Sequence, residues 1–166
     1  DIAVGRYPVD GQLRRQLPEE NIISLGDTAR VPYGSKSPQT VLRYSRNNAR
    51  FLLSRGIKLL VIACNTASAF ALPELAGELS VPVLGAVEPG AREAVAATRT
   101  GRIGVIGTLG TIRSSSYRRA IAAVAPQLQV AAQPCPLLVP LADEGWTEGE
   151  VARLTAERYL GELFAQ

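Results

Sequence analysis

The segment IKLLVIACNTA, residues 57–67, contains the pattern on which the interpretation of the fold depends. Its first seven residues are almost continuously apolar, which is typical of a β-strand buried on both faces of a parallel sheet. Cys64, Asn65 and Thr66 follow directly, and Asn65 or Thr66 can cap a helix that begins there. Helical spacing then continues over residues 66–79. The segment therefore predicts a strand, a short polar turn and a helix.

The same alternation of strands and helices extends to both sides of this segment. It predicts strands at residues 21–25, 57–63, 81–87, 102–107 and 128–132, and helices at residues 37–55, 66–79, 89–98, 109–124 and 147–164. Such alternation is typical of βαβ units, so we expect an α/β fold with parallel sheets flanked by helices. A seam near residues 88–101 divides the chain into two predicted lobes, residues 1–88 and 89–166.

Composition excludes several classes of protein. With 46% hydrophobic and 20% charged residues, the chain is not intrinsically disordered, and its apolar runs are too short to span a bilayer. No charged and apolar leader opens it, so a cytoplasmic location is expected. The net charge of +3 is mild and aromatic residues are few, so we expect neither nucleic acid nor a membrane as a partner.

The two cysteines are the strongest candidates for chemistry, because the sequence contains no His. Their spacing fits neither a zinc site nor a disulfide framework, which predicts free thiols and no metal. Cys64 is expected at a helix N-terminus, where the helix dipole favours a thiolate; an inert buried thiol is the alternative. Cys135 lies between Pro134 and Pro136 with no helix to activate it, so we interpret it as structural.

Two further segments are candidates for ligand binding. The polar loop at residues 26–37 is long enough to be functional, and it ends in Ser37, a predicted helix cap followed by Pro38. The glycine-rich run at residues 101–111 lacks the spacing of a phosphate loop. Its Thr108 and Thr111 are instead predicted to hold a carboxylate at a helix N-terminus.

Together these motifs resemble those of the glutamate racemases. Five segments occur in that family's order: GDTARVPYGSKS (residues 26–37), VIACNTAS (61–68), VPVLGAVEPG (81–90), IGVIGTLGTI (103–112) and CPLLVPLADEGW (135–146). The first two segments together are highly specific for the family. The resemblance covers most of residues 20–146.

The resemblance implies an isomerase that inverts glutamate for peptidoglycan biosynthesis, and so for cell-wall biogenesis and cell shape. It implies two thiols on opposite faces of the α-carbon, of which Cys64 is one, and an active site in the cleft between two lobes. Glutamate is then the small-molecule partner, and the resemblance leaves open whether the protein forms a homodimer. No cofactor is expected, since the only lysines, Lys36 and Lys58, lie in a predicted loop and at a strand start, whereas pyridoxal phosphate needs a Schiff-base lysine.

The resemblance also assigns roles in binding. Besides the catalytic thiol, it assigns roles to a set of polar residues and one glycine, either in contact with the substrate or in support of the second thiol. They are Asp1, Tyr33, Gly34, Asn65, Thr66, Thr108, Thr111 and Glu144. Among these, Glu144 is the residue that supports the second thiol.

Two departures from the family pattern concern the ends of the sequence. The family's Asp-Ser-Gly motif falls on Asp1 and Ile2, so the serine is replaced. The family's second thiol lies in a Gly-Cys-Thr-His segment, which a sequence without His does not contain. We therefore expect a fragment or a terminally degenerate racemase that cannot racemise glutamate as given. There are two alternatives. One is a racemase of broader specificity that acts on aspartate, and the other is a non-catalytic remnant that binds amino acids.

Overall fold

The computed structural model describes residues 8–165, which form short parallel sheets flanked by helices. The predicted α/β class is confirmed. The strands are β1 (Leu60–Ile62), β2 (Val83–Gly85), β3 (Arg102–Gly107) and β4 (Gln129–Pro134). The helices are α1 (Pro8–Gln16), α2 (Pro38–Leu53), α3 (Asn65–Glu78), α4 (Val87–Ala97), α5 (Leu109–Arg113), α6 (Ser116–Val124), α7 (Leu138–Asp143) and α8 (Gly149–Phe164), with a 3-10 turn at Thr28–Arg30.

The chain divides into two compact units, the first ending at Gly85 and the second beginning at Ala86. In the first unit, β1 and β2 pair in parallel, with Leu60 opposite Val83. Helices α2 and α3 pack on each other, and a buried cluster holds the unit together: Ala49, Leu60, Ala71 and Leu75. The sequence-based lobes, residues 1–88 and 89–166, stay a prediction.

The second unit has its own sheet and its own core. Strands β3 and β4 pair in parallel along six positions, with Ile103 opposite Val130. Ala91, Ile103 and Ile121 form the buried cluster between this sheet and helices α4 and α6. Burying each large aliphatic side chain contributes roughly 1.5–3 kcal/mol, so each unit has an independent source of stability.

The ends of α2 follow local sequence signals. The Ser37 Oγ accepts the N–H of Thr40 at 3.2 Å, and Pro38 occupies the first helical position, where no N–H is needed. Gly56 follows the helix with a φ of +73°, a conformation that glycine adopts without steric cost. The predicted cap and stop signal are both confirmed.

Two predictions about elements are wrong, and two helices, α1 and α7, were missed. Residues 21–25 form no strand; their Ile23 and Leu25 are 48% and 40% exposed, and within residues 8–165 β1 pairs with β2 alone. The single helix predicted at residues 109–124 is two helices, because Ser115 adopts a left-handed φ of 56°. Helix α7 was not predicted; its Pro140 lies in the first turn, where a missing N–H is tolerated.

Among the helices between residues 8 and 165, none combines the length and the apolar content that crossing a bilayer requires.

Candidate active site

Cys64 lies at the junction between β1 and α3, where the sequence places it. It is the N-cap residue of α3, and its Sγ accepts the N–H of Ala67 at 3.4 Å. The cap was expected at Asn65 or Thr66, which is wrong: both residues lie inside the first turn of the helix. Cys64 is partly exposed and is held at the N-terminus of α3.

A hydrogen-bonded network fixes Tyr33 in the loop that precedes α2. The Tyr33 hydroxyl donates to the Asp27 carboxylate. The amide Nδ2 of Asn48, on α2, donates to Asp27 Oδ2 and to the Tyr33 hydroxyl, each at 3.3 Å. Arg30 Nε forms an ion pair with Asp27 Oδ1 at 2.9 Å. The loop is therefore tied to α2 through one carboxylate.

The environment of Tyr33 keeps its hydroxyl neutral. Burial raises the pKa of Tyr33 far above its ordinary value, and the hydrogen bond to Asp27 and the negative charge of that carboxylate add to the rise. The Tyr33 and Tyr44 rings are 5.9 Å apart, and the Arg30 guanidinium lies 4.9 Å from the centre of the Tyr44 ring. The phenol acts as a donor within the protein.

A cavity of about 180 Å³ in the first unit brings the thiol and the tyrosine together. Cys64, Tyr33, Asp27 and Asn48 line it, and its remaining walls are mostly apolar. Sequence reasoning missed Asp27 and Asn48 as site residues. A signal existed for Asn48: it is a polar residue on α2 that lies directly before the buried Ala49 and three residues after the buried Ser45.

The other predicted site residues of the first unit lie beside this cavity rather than in its wall. Thr66 is buried, with 2% of its surface exposed, and Asn65 is the first residue of α3. Gly34 follows Tyr33 in a turn. Asp1 lies outside the described residues.

In the second unit the two predicted threonines are neighbours. Thr108 caps α5, its Oγ1 accepts the Thr111 N–H at 3.2 Å, and the two hydroxyl oxygens are 3.0 Å apart. Thr111 is buried with 4% of its surface exposed. Glu144, in contrast, is exposed at the end of α7. The structure therefore brings Thr108 and Thr111 together at a helix N-terminus, as their spacing predicts.

Cys135 differs from Cys64 in burial. Only 2% of Cys135 is exposed, its Sγ donates weakly to the Gln133 carbonyl at 3.6 Å, and burial raises the pKa of its thiol. These features disfavour a reactive thiolate. Across residues 8–165 no group of three or more Cys, Asp or Glu side chains could hold a metal ion.

The fold and this site define an α/β protein with a thiol at a strand–helix junction beside a cavity. A family model described as Asp/Glu/Hydantoin racemase matches residues 9–163, and the chain belongs to this family.

Individual relatives are glutamate racemases. The chain is 59% identical over 163 residues to the glutamate racemase of Geobacter metallireducens, covering 98% of this chain and 60% of that protein. The structure of glutamate racemase from Aquifex pyrophilus matches with a TM-score of 0.84 and 46% identity, covering 98% of this chain and 64% of that one. The Francisella tularensis enzyme in complex with D-glutamate matches with a TM-score of 0.84 and 34% identity, covering 93% and 58%.

The chain spans about 60% of the length of the curated relatives that it matches.

Proposed function

We propose that this chain carries one of the two acid/base thiols of a glutamate racemase, and that Cys64 is this thiol. The observation that carries the proposal is the partly exposed Cys64 at the N-terminus of α3, which lines a cavity together with Tyr33. The glutamate racemases among the relatives, one of them solved with D-glutamate, support the choice of substrate.

The proposed chemistry is a proton transfer at the α-carbon of glutamate. The Cys64 thiolate takes the α-proton, the electron pair of the C–H bond stays on the substrate, and the second thiol returns a proton to the opposite face. Cysteine suits this role because its thiolate is a base that a protein can tune toward neutral pH. Cys135 is buried with 2% of its surface exposed, so we do not assign it the second role.

The substrate-binding roles follow the same proposal. Asn65 and Thr66 beside the thiol, and Tyr33 and Gly34 in the loop, contact the substrate. Asp1, Thr108 and Thr111 also bind the substrate. Glu144 supports the second thiol. The proposed reaction uses no cofactor.

The cellular role is part of the proposal as well. D-Glutamate produced in the cytoplasm would supply peptidoglycan synthesis, and hence cell-wall biogenesis and cell shape. Membership of the racemase family supports this role. A homodimer stays a prediction.

Deuterium incorporation at the α-carbon tests the assignment of Cys64. The chain is incubated in D2O with L- or D-glutamate, and loss of the α-proton signal is followed by NMR. We expect exchange with only one of the two enantiomers and no interconversion, since a single thiol reaches a single face of the carbon. Cys64→Ala should abolish exchange, and the matched Cys135→Ala variant should retain it.

Each other outcome contradicts part of the proposal. If α-proton exchange survives in Cys64→Ala, Cys64 is not the acid/base thiol. Interconversion of the enantiomers shows a second acid/base group within these residues. Faster exchange with aspartate indicates broader specificity, and binding of glutamate without exchange indicates a non-catalytic remnant.

A further inference from the structure

Ser68 spans the junction between β1 and α3 with two hydrogen bonds. It is buried, with 5% of its surface exposed. Its N–H donates to the Cys64 carbonyl at 2.8 Å, and its Oγ donates to the Ile62 carbonyl, also at 2.8 Å. Serine hydroxyls within helices usually bond the carbonyl three or four residues earlier. The bond to Ile62, six residues earlier, instead joins the helix to the end of the strand.

Strand β2 encloses Ser68 from the other side. Its last residue, Gly85, pairs with Ile62. A Cβ at Gly85 would lie 3.0 Å from Ser68 Oγ and 2.4 Å from Leu72 Cδ1, closer than side-chain carbons pack. The missing side chain at this position lets β2 approach α3 closely, so the Ser68 hydroxyl is confined against the Ile62 carbonyl.

We infer that Ser68 is a positioning residue that sets the direction of the Cys64 thiol. The Ser68 hydroxyl bonds to Ile62, two positions before Cys64, and the Ser68 N–H bonds to Cys64 itself. These bonds therefore hold both arms of the turn that carries Sγ. This turn places Sγ 3.4 Å from the Ala67 nitrogen. Without the Ser68 hydroxyl, the first turn of α3 loses a side-chain link to β1, and the contact between Sγ and the Ala67 N–H weakens.

The catalytic part of this inference rests on the proposed function. A thiol that is displaced by a fraction of an ångström transfers a proton more slowly, because the rate depends steeply on geometry. Residues other than Cys64 would still hold the substrate. Loss of the Ser68 hydroxyl should therefore lower the maximal rate and change the half-saturating concentration of glutamate little.

Alkylation of Cys64 by iodoacetamide tests the positioning directly, without any assumption about glutamate. The thiolate is the species that reacts, and Cys64 Sγ lies 3.4 Å from the Ala67 nitrogen. In Ser68→Ala we expect the alkylation rate of Cys64, followed by peptide mass spectrometry, to fall about fivefold, the factor for one lost hydrogen bond. Alanine removes only the oxygen atom and favours a helix, so the variant should fold.

A matched variant separates positioning from loss of stability. Ala71 is fully buried in the same helix and does not line the cavity, and Ala71→Gly should destabilise α3 while leaving the alkylation rate within about twofold of the wild type. Gly85→Ala displaces Ser68 from the opposite side and should slow alkylation as Ser68→Ala does.

The outcomes distinguish this inference from the proposed function. Alkylation at the wild-type rate in Ser68→Ala overturns the positioning role, and so does equal slowing in Ala71→Gly. In the exchange assay, Ser68→Ala should lower the maximal rate about tenfold with less than about twofold change in the half-saturating glutamate concentration. If Cys64→Ala still exchanges the α-proton, the proposed function fails, while the alkylation rates still decide the role of Ser68.

Discussion

At the scale of single residues, the Asp27 carboxylate organises the loop beside the cavity. It accepts hydrogen bonds from the Tyr33 hydroxyl and the Asn48 amide and pairs with Arg30. The Asp27 side chain is only 10% exposed, and a charge in such a place is tolerated because several donors satisfy it. The network supports the view that the Tyr33 hydroxyl serves the protein, while Tyr33 also lines the cavity.

Removal of that hydroxyl tests the network. Tyr33→Phe leaves Asp27 with one donor fewer, and we expect the free energy of unfolding to fall by about 1–2 kcal/mol. Tyr44→Phe is the matched control, since the Tyr44 hydroxyl is not part of this network. This variant should change the free energy of unfolding by less than about 0.5 kcal/mol. Urea unfolding followed by circular dichroism measures both. Equal losses in the two variants would contradict the role given to Asp27.

The raised pKa of Tyr33 predicts a dependence of stability on pH. A group whose pKa is higher in the folded state than in the unfolded state binds its proton more tightly when folded. The stabilisation is therefore complete below the ordinary tyrosine pKa of about 10 and declines as the pH rises above that value. Unfolding experiments from neutral to alkaline pH should show this decline, and Tyr33→Phe should show a shallower one. A decline of the same size in both proteins would refute the assignment.

At the scale of elements, the contact between β2 and α3 depends on a residue without a side chain. A Cβ at Gly85 would meet Leu72 Cδ1 at 2.4 Å and Ser68 Oγ at 3.0 Å. Since β2 pairs with β1 through the same residue, the strand cannot move away without breaking its ladder. Close packing at Gly85 therefore holds the helix against the sheet.

Two alanine substitutions test this packing in opposite directions. Gly85→Ala should lower the free energy of unfolding by about 1–3 kcal/mol, because the neighbours must shift. Gly77→Ala, on the exposed side of α3 with nothing within 4 Å of the added carbon, should raise it by up to about 1 kcal/mol through helix propensity. Thermal melts compare the two. A neutral Gly85→Ala would show that β2 and α3 are not closely packed.

At the scale of the whole molecule, the two compact units have separate cores. Val41 is fully buried in the first unit, beside Tyr33 and Ala67, and Ile121 is fully buried in the second unit. Each unit also has its own pair of parallel strands. We therefore expect each unit to open to solvent through the loss of its own core.

Hydrogen exchange with mass spectrometry tests this independence. Ile121→Ala should destabilise the second unit by about 2–5 kcal/mol and raise exchange in α4, α6, β3 and β4. The matched Val41→Ala should raise exchange in α2 and α3. Equal increases throughout the chain in either variant would show that the units unfold together.

The fold class and the position of Cys64 were predictable because their signals are local. An apolar run followed by polar residues and helical spacing places the thiol between a strand and a helix, and Ser37 and Gly56 mark the ends of α2 within a few residues of sequence. The strand predicted at residues 21–25 shows the limit of such signals. Its composition favours a strand, but a strand forms only where a partner offers its backbone groups.

The sequence by itself determined the alternation of strands and helices from β1 to β4 and the thiol at the start of α3, since neighbouring residues set periodicity and caps. Tertiary structure alone decided which polar side chains meet at the cavity. Asn48 and Asp27 are 21 positions apart, and no local pattern encodes that contact. It likewise decided that Ser68 bonds to the end of β1, because the close approach of β2 at Gly85 confines its hydroxyl there.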